Sequence, residues 1–174
     1  ETTFDRIRAS YLQEGAESRL TVADRVGEVV LEPVQAVGEA AGGPVVGGEA
    51  PELLAPLCAG RSVVTLDAQA TALPVLNPAG CPFDMSETAA LVAGCALVIT
   101  VDTMIAHLAG ALGKPVWLLL KHAPDWRWAP ETGRSEWYPN ARLYAQPAPG
   151  DWAPVIAQVA RDLELVFPQP EFAR

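Results

Sequence analysis

An acid, a hydroxyl and an imidazole fall within six positions of an otherwise apolar stretch, VITVDTMIAHLAGALGKP, at residues 98–115. Asp102 ends a run typical of a strand, Thr103 is placed to begin a helix, and His107 follows on the same helical face. The first N–H groups of a helix lack partners inside it, and the helix dipole adds partial positive charge there. With a hydroxyl and an imidazole beside it, this helix start is suited to binding a diphosphate.

Simpler explanations exist for the same residues. A single histidine in an amphipathic helix is commonly structural or exposed, and an acid at a strand end commonly caps the next helix. Neither GxGxxG nor GxxxxGK[ST] occurs, so the usual dinucleotide and P-loop motifs do not support a nucleotide site. Gly110 is expected to let another backbone approach the flank of the helix.

The elements around this stretch alternate in type from residue 50 onward. Strand-like runs SVVTLD, ALVITVD and VWLLL are separated by helical patterns, and a last helix is expected over about residues 152–163. Short connections between them predict an α/β fold, a Rossmann-like parallel sheet with covering helices. Right-handed crossovers place the carboxyl ends of the strands at one edge, where open α/β sheets bind ligands.

Capping residues and periodicity predict the ends and faces of the helices. The pair Asp84 and Glu87 forms an expected capping box. Gly113 is expected to end the helix that holds His107, and Asp151 to cap the last helix. We expect the His107 helix to pack on the sheet through its large apolar residues and one alanine: Met104, Ile105, Leu108, Ala111 and Leu112.

Residues 1–43 differ in composition from the rest and carry much of the charge. A helix is predicted over about residues 3–14, while VGEVVLEPV fits a strand or a helix equally. We therefore divide the chain into a partly helical N-terminal segment, residues 1–43, to which no role is assigned, and a Rossmann-like domain at residues 44–174.

Bulk composition argues against several classes of protein. The formal net charge is −9 with no offsetting Lys/Arg cluster, which disfavours nucleic-acid binding. Without a signal-peptide pattern or an apolar run long enough to span a bilayer, we expect a soluble, cytoplasmic protein.

Cys58, Cys81 and Cys95 form no CxxC pair and are expected to be buried thiols. No cluster of His, Asp and Glu has metal-ligand spacing, so neither a metal nor a cofactor is predicted.

Two separated motifs resemble those of a known family. SETAALVAGCALVITVDTMIAHLAGALGKPVWLLL resembles the C-terminal domain of the heptosyltransferase-like glycosyltransferases of family 9, whose GT-B fold has two Rossmann-like domains. The family motif is an acid, Thr or Ser, a few residues, His-Leu-Ala and then Gly-x-Pro. The continuation is similar to the subset whose glycosyltransferase region often follows tetratricopeptide repeats; it reads APDWRWAPETGRSEWYPNARLYAQPAPGDWAPVIAQVARDL. The resemblance covers roughly residues 52–165.

The resemblance implies a site for a nucleoside-diphosphate sugar, as in the C-terminal half of a GT-B fold. Asp102, Thr103 and His107 would contact the sugar and the diphosphate, together with the backbone at Met104 and Ile105. The family's catalytic base lies in the N-terminal Rossmann domain, which residues 1–51 do not resemble. The resemblance therefore implies no catalytic residue in this chain, which we expect to be part of a larger enzyme or a natural half-enzyme, inactive alone. An exposed interdomain face would allow a homodimer.

A second group of residues follows the VWLLL strand at the same sheet edge. Lys121 and Arg127 are placed to meet a phosphate, and Trp126 to stack on a base or sugar. The alternative is an aromatic lid that packs the loop down, formed by Trp126, Trp128, Trp137 and Tyr138. Two further residues are expected to be peripheral, as a helix cap or an exposed loop residue: Asp67 and His122.

The function that the sequence favours is binding of the nucleotide-sugar donor within a glycosyltransferase. The base, the sugar and the acceptor (a glycan, a lipid-linked molecule or a protein) stay open. The alternative is a non-catalytic Rossmann-like module that binds a nucleotide or a partner protein. A GT-B epimerase fits less well because no second acid/base pair is visible.

Overall fold

A parallel sheet organises the computed structural model, which describes residues 29–31, 49–59, 61, 63–66, 73, 75 and 85–168. Its five strands in these ranges are β1 (Val29–Leu31), β2 (Val63–Thr65), β3 (Leu97–Val101), β4 (Val116–Leu120) and β5 (Ala141–Ala145). All neighbouring strands pair in parallel, in the order β2-β1-β3-β4-β5. This confirms the predicted α/β class.

Helices cover both faces of the sheet. They are α1 (Glu49–Cys58), α2 (Met85–Gly94), α3 (Met104–Ala111) and α4 (Ala153–Val166), and a short 3₁₀ helix spans Pro130–Thr132. Buried side chains of α1 and α4 share one apolar cluster with Leu97 and Ile99 of β3. Those of α2 and α3 pack on the opposite face with Val98. Because strand side chains alternate between faces, one strand contributes to both clusters.

The central strands are buried along their whole length. All five residues of β3 and all five of β4 are buried. Their runs are apolar almost throughout, as expected for parallel strands covered on both faces. Each large apolar side chain buried in these strands contributes about 1.5–3 kcal/mol relative to an exposed one.

Strand β1 corrects the predicted division of the chain. Val29 pairs with Val63 of β2 on one side and with Leu97 of β3 on the other. Part of the segment 1–43 therefore lies inside the sheet of the domain that we expected to begin at residue 44. The apolar run VVL obtains partners for its backbone groups on both sides in this position, which an isolated segment would lack.

Two of the predicted helix features are confirmed and two are wrong. Thr103 is the N-cap of α3, and Gly113 follows the helix in the left-handed conformation with φ of 70°.

Asp151 does not cap α4, which begins after Trp152 without a side-chain cap and has a proline in its first turn. Helix α3 buries Ile105, Ala106 and Ala109, whereas three residues of the face that we predicted to pack on the sheet are exposed: Met104, Ala111 and Leu112.

Several expectations fall partly or wholly outside the described residues. The helix at about residues 3–14, the Asp84–Glu87 capping box, Asp67 and Cys81 are among them. Cys58 and Cys95 are described, and both are buried, as predicted. In the part of the chain that the structure covers, no helix has the length and apolar character needed to cross a bilayer.

The strand order places a topological switch point between β1 and β3. From β1 the chain moves outward to β2, returns past β1 to β3, and then continues in the other direction through β4 and β5. In open α/β sheets the crevice at the carboxyl ends of the two strands flanking such a reversal is the usual ligand site. The segment that leaves the carboxyl end of β3 is Asp102–Thr103, which leads directly into α3.

Candidate functional site

The turn from β3 into α3 is built by Thr103. Its backbone is extended, with φ of −133° and ψ of 179°, and its N–H donates to the carbonyl of Val101 at 2.8 Å. The Thr103 side-chain oxygen accepts a hydrogen bond from the Ile105 N–H at 3.3 Å, which is the usual function of an N-cap. The strand therefore passes into the helix within two residues, and Asp102 is left exposed at the sheet edge.

The first turn of α3 divides into internal and outward-facing groups. The first N–H groups of any helix have no carbonyl partner four residues earlier. Here the Ile105 N–H is bound by the Thr103 side chain, and the Ile105 side chain is buried. The Ile105 N–H, which we expected to contact a ligand, is thus already bound by the N-cap. Met104 lies exposed at the first helical position.

His107 is held by two aromatic side chains. Its Nδ1 lies 3.0 Å from the hydroxyl oxygen of Tyr138, within hydrogen-bond distance. Its ring stacks on that of Trp128, with centroids 5.6 Å apart and an angle of 27° between planes. The Tyr138 ring meets the imidazole nearly edge-on, at 64°. The imidazole therefore has a defined orientation before any ligand binds.

Nε2 of His107 points to the side where Asp102 lies. The distance from Nε2 to the nearer Asp102 carboxylate oxygen is 3.9 Å, too long for a hydrogen bond but close enough for an electrostatic interaction. Both side chains keep about a third of their surface exposed, 38% for His107 and 30% for Asp102. The structure thus brings Asp102, Thr103 and His107 together, as the spacing predicts; whether they bind a ligand stays a prediction.

Trp128 reaches the site from the loop after β4. Its backbone N–H donates to the carbonyl of Asp125 at 3.0 Å, which closes a turn and directs the side chain inward. The indole is 4% exposed and, among the described residues, its N–H has no hydrogen-bond partner. A buried N–H of this kind is commonly satisfied by a ligand or an ordered water, which is consistent with a binding site beside His107.

Tyr138 comes from the segment before β5 and is fixed by its own backbone. The side-chain oxygen of Ser135 accepts hydrogen bonds from the N–H groups of Trp137 and Tyr138, at 3.1 and 3.2 Å. Asn140 donates through its side chain to the carbonyl of Gly113 at 2.8 Å, which ties this segment to the end of α3. These bonds set the position of the Tyr138 ring independently of His107.

The ring of Tyr138 lies directly against Gly110 of α3. The sequence predicted a close approach at Gly110, but by another backbone; the structure shows an aromatic side chain instead. The predicted aromatic lid is also only half correct. Trp128 and Tyr138 pack down on the site, whereas Trp126 and Trp137 are 81% and 57% exposed and contact each other, with centroids 6.4 Å apart.

The remaining expected residues are Lys121, Arg127 and His122. Lys121 is exposed, and Arg127 forms an ion pair with Asp125 at 3.2 Å. His122 is exposed, as predicted, but its backbone N–H and its Nδ1 both contact Gln146. Within the described ranges no group of three or more His, Cys, Asp and Glu residues could hold a metal ion.

Sequence reasoning missed the pairing of His107 with Trp128 and Tyr138. The hydrogen bond between His107 and Tyr138 joins residues 31 positions apart, so no local spacing reveals it. Two features indicate it in retrospect: a glycine within a helix, which allows a close approach, and the aromatic residues around the next strand connection. Neither feature says which aromatic residue meets which helical position.

The fold and the site together define a class, a doubly wound α/β domain with a helix N-terminus, an acid and an imidazole at its switch point. A family model described as Glycosyltransferase family 9 (heptosyltransferase) matches residues 69–148. The matched range includes β3, α3, Trp128 and Tyr138, and therefore the whole of the candidate site.

A solved structure shares the fold. Across 94% of its length the chain is similar to the crystal structure of a glycosyl transferase family 9 protein from Veillonella parvula, with a TM-score of 0.53 and 13% sequence identity. The chain covers 51% of that protein and so spans about half its length. At this identity the likeness shows the Rossmann-like fold. A search of the curated proteins finds no match.

Proposed function

We propose that this chain belongs to glycosyltransferase family 9 and forms the C-terminal, nucleotide-sugar-binding half of a heptosyltransferase-like GT-B enzyme. The reaction is displacement of a nucleoside diphosphate from the sugar by a hydroxyl of an acceptor. The chain's part is to bind the sugar donor and to stabilise the departing diphosphate. The catalytic base comes from a second Rossmann domain, so the chain alone binds without transferring sugar.

One observation carries the proposal: Asp102, Thr103 and His107 surround the start of α3 at the switch point of the sheet. This is where an open α/β sheet places its ligand, and where a helix offers N–H groups to an anion. The family model matches a range that contains all three residues. A structural histidine would explain its packing against Trp128 and Tyr138, while the exposure of its side chain and of the neighbouring Asp102, 38% and 30%, supports a binding role.

The geometry supports a division of labour among these groups. The N–H groups at the start of α3 and Nε2 of His107 are hydrogen-bond donors suited to phosphate oxygens. The carboxylate of Asp102 is an acceptor suited to a sugar hydroxyl. Donors fixed in advance stabilise the charge that develops on a leaving diphosphate at little reorganisation cost. Since the net charge is −9, these local groups, rather than the overall field, must attract the anion.

Calorimetric titration of the 174-residue chain with UDP, GDP, ADP and CMP tests the proposal. We expect weak binding of one nucleoside diphosphate. Replacing His107 with alanine removes a hydrogen bond to a charged group, so affinity should decrease roughly 10- to 100-fold while circular dichroism stays unchanged. His122→Ala is the matched control, because it removes the other histidine and its contact with Gln146 lies outside the site.

The alternative, a non-catalytic module, predicts a different set of results. If one nucleotide binds but the natural protein neither transfers nor hydrolyses the corresponding nucleotide sugar, the module is favoured. If no nucleotide binds to the chain or to the natural protein that contains it, the proposal that this is a sugar-donor site is wrong. Transfer of sugar that requires His107 would support the enzyme.

A further inference from the structure

We propose that Tyr138 is a positioning residue for His107: its hydroxyl donates to Nδ1, so that the neutral imidazole keeps its proton on Nε2 and presents it at the start of α3. The part of this inference that concerns the diphosphate rests on the proposed function. The tautomer itself is a property of the chain and is measurable without any ligand.

The charge of Asp102 determines which group donates in the hydrogen bond between His107 and Tyr138. Nδ1 and the Tyr138 hydroxyl oxygen are 3.0 Å apart, and either group can donate. On the other side of the ring, an Asp102 carboxylate oxygen lies 3.9 Å from Nε2. A proton on Nε2 is attracted by this negative charge, whereas a lone pair there is repelled. The Nε2–H tautomer is therefore favoured, and it leaves Nδ1 to accept from Tyr138.

The surrounding rings keep Nδ1 of the imidazole directed at the Tyr138 hydroxyl. Trp128 is buried and stacks on one face of the imidazole, and the Tyr138 ring stands at 64° to it. The backbone of Tyr138 is held by Ser135, so the hydroxyl stays in place without a ligand. A half-turn of the imidazole, which would replace Nδ1 by a ring carbon beside the Tyr138 hydroxyl, would require the ring to turn through its contacts with Trp128 and Tyr138.

The tautomer matters because phosphate oxygens at neutral pH only accept hydrogen bonds. The Nε2–H tautomer gives them a donor from the neutral ring. With the proton on Nδ1, the ring would present a lone pair to the phosphate and repel it until the imidazole took up a second proton. Tyr138 thus acts on the ligand through His107, without contacting the reacting atoms.

Nitrogen-15 NMR of the imidazoles in the 174-residue chain tests the tautomer, since protonated and bare ring nitrogens have widely separated shifts. A titration to the neutral limit gives the tautomer, and His122→Gln assigns the two histidines. We expect Nε2–H for His107 in the unmodified chain. Tyr138→Phe keeps the ring and removes the hydroxyl, so the shifts should move toward a mixture of tautomers.

Tyr144→Phe is the matched control. The Tyr144 hydroxyl donates to Asp162 at 3.0 Å, and its ring belongs to the cluster on the opposite sheet face from α3. This variant loses one tyrosine hydrogen bond but should leave the His107 shifts unchanged. An Nδ1–H tautomer in the unmodified chain, or His107 shifts that Tyr138→Phe does not alter, overturns the inference.

Titration with the same four nucleotides supplies a second, independent readout. Loss of one neutral hydrogen bond that orients His107 should reduce nucleotide affinity about threefold to tenfold in Tyr138→Phe and leave it unchanged in Tyr144→Phe. If the tautomer behaves as expected but no nucleotide binds, the proposed function fails while the positioning of His107 by Tyr138 stands. If a nucleotide binds but His107 carries its neutral proton on Nδ1, the positioning fails and the proposed function stands.

Discussion

The ring of Tyr138 occupies the space that a side chain at Gly110 would need. A Cβ at Gly110 would lie 2.5 Å from two carbons of this ring, Cγ and Cδ1, a distance that real Cβ atoms essentially never show. The aromatic ring at position 138 therefore requires a residue without a side chain at position 110. Their contact sets how closely the segment before β5 approaches α3, and so brings the Tyr138 hydroxyl within reach of His107.

Gly110→Ala should destabilise the protein, although alanine is the better helix former. Alanine for glycine inside a helix is favourable by about 1 kcal/mol. Against this, the new methyl group meets a ring whose backbone is anchored by Ser135, and overpacking typically costs about 1–3 kcal/mol. We expect a net loss of roughly 1 kcal/mol in the free energy of unfolding, measured by urea denaturation, and weaker nucleotide binding because His107 loses its partner.

The sign of the same substitution should reverse when the ring is absent. In a Tyr138→Ala background, the space beside Gly110 is open, so Gly110→Ala should stabilise the protein by about 1 kcal/mol through helix propensity alone. This double-mutant cycle separates the steric term from the propensity term. Equal effects of Gly110→Ala in both backgrounds would show that the ring moves aside freely.

Thr103→Ala should weaken the start of α3. The side-chain oxygen of Thr103 accepts a hydrogen bond from the Ile105 N–H at 3.3 Å, which is rather long. The decrease in the free energy of unfolding should therefore be in the lower part of the range for N-caps, about 0.5–1 kcal/mol. Urea denaturation measures this decrease. Serine keeps the capping oxygen, and Thr103→Ser should therefore restore most of the stability; if serine is as destabilising as alanine, the methyl group rather than the cap is responsible.

Much of the sheet was predictable because its central strands are buried on both faces and read as continuous apolar runs. Strand β1 was not, because three apolar residues are too few to show the period of a strand or a helix. The prediction of which face of α3 is buried was also wrong. Nearly every residue of this helix is apolar or small, so periodicity does not distinguish Ile105, Ala106 and Ala109 from exposed neighbours.

The candidate site divides in the same way into local and long-range parts. Asp102, Thr103 and His107 follow one another within a strand end and a helix start, so their grouping follows from local geometry. Trp128 and Tyr138 arrive from two later loops, and their positions depend on how those loops fold back on α3. Sequence alone thus predicted that Asp102, Thr103 and His107 lie together, but it did not identify the residues that orient His107.

The buried thiol of Cys58 should make stability decrease at alkaline pH. Burial raises the pKa of this thiol from 9.0 to about 11, and the positive charge of Arg61 offsets part of the effect. Between these two values the unfolded chain releases the thiol proton while the folded chain retains it, so the folded state binds more protons. The free energy of unfolding must then decrease as the pH rises, by up to about 3 kcal/mol between pH 9 and pH 11 from this group.

Urea denaturation at intervals from pH 8 to pH 11 measures this dependence, and Cys58→Ala is the informative variant. Its absolute stability is lower because a buried side chain becomes smaller, but its decrease with pH should be shallower than that of the unmodified chain. Tyr144→Phe separates a second contribution, since burial and the hydrogen bond to Asp162 also raise the pKa of Tyr144. Parallel pH curves for the unmodified chain and Cys58→Ala would mean that Cys58 ionises alike in the folded and unfolded states.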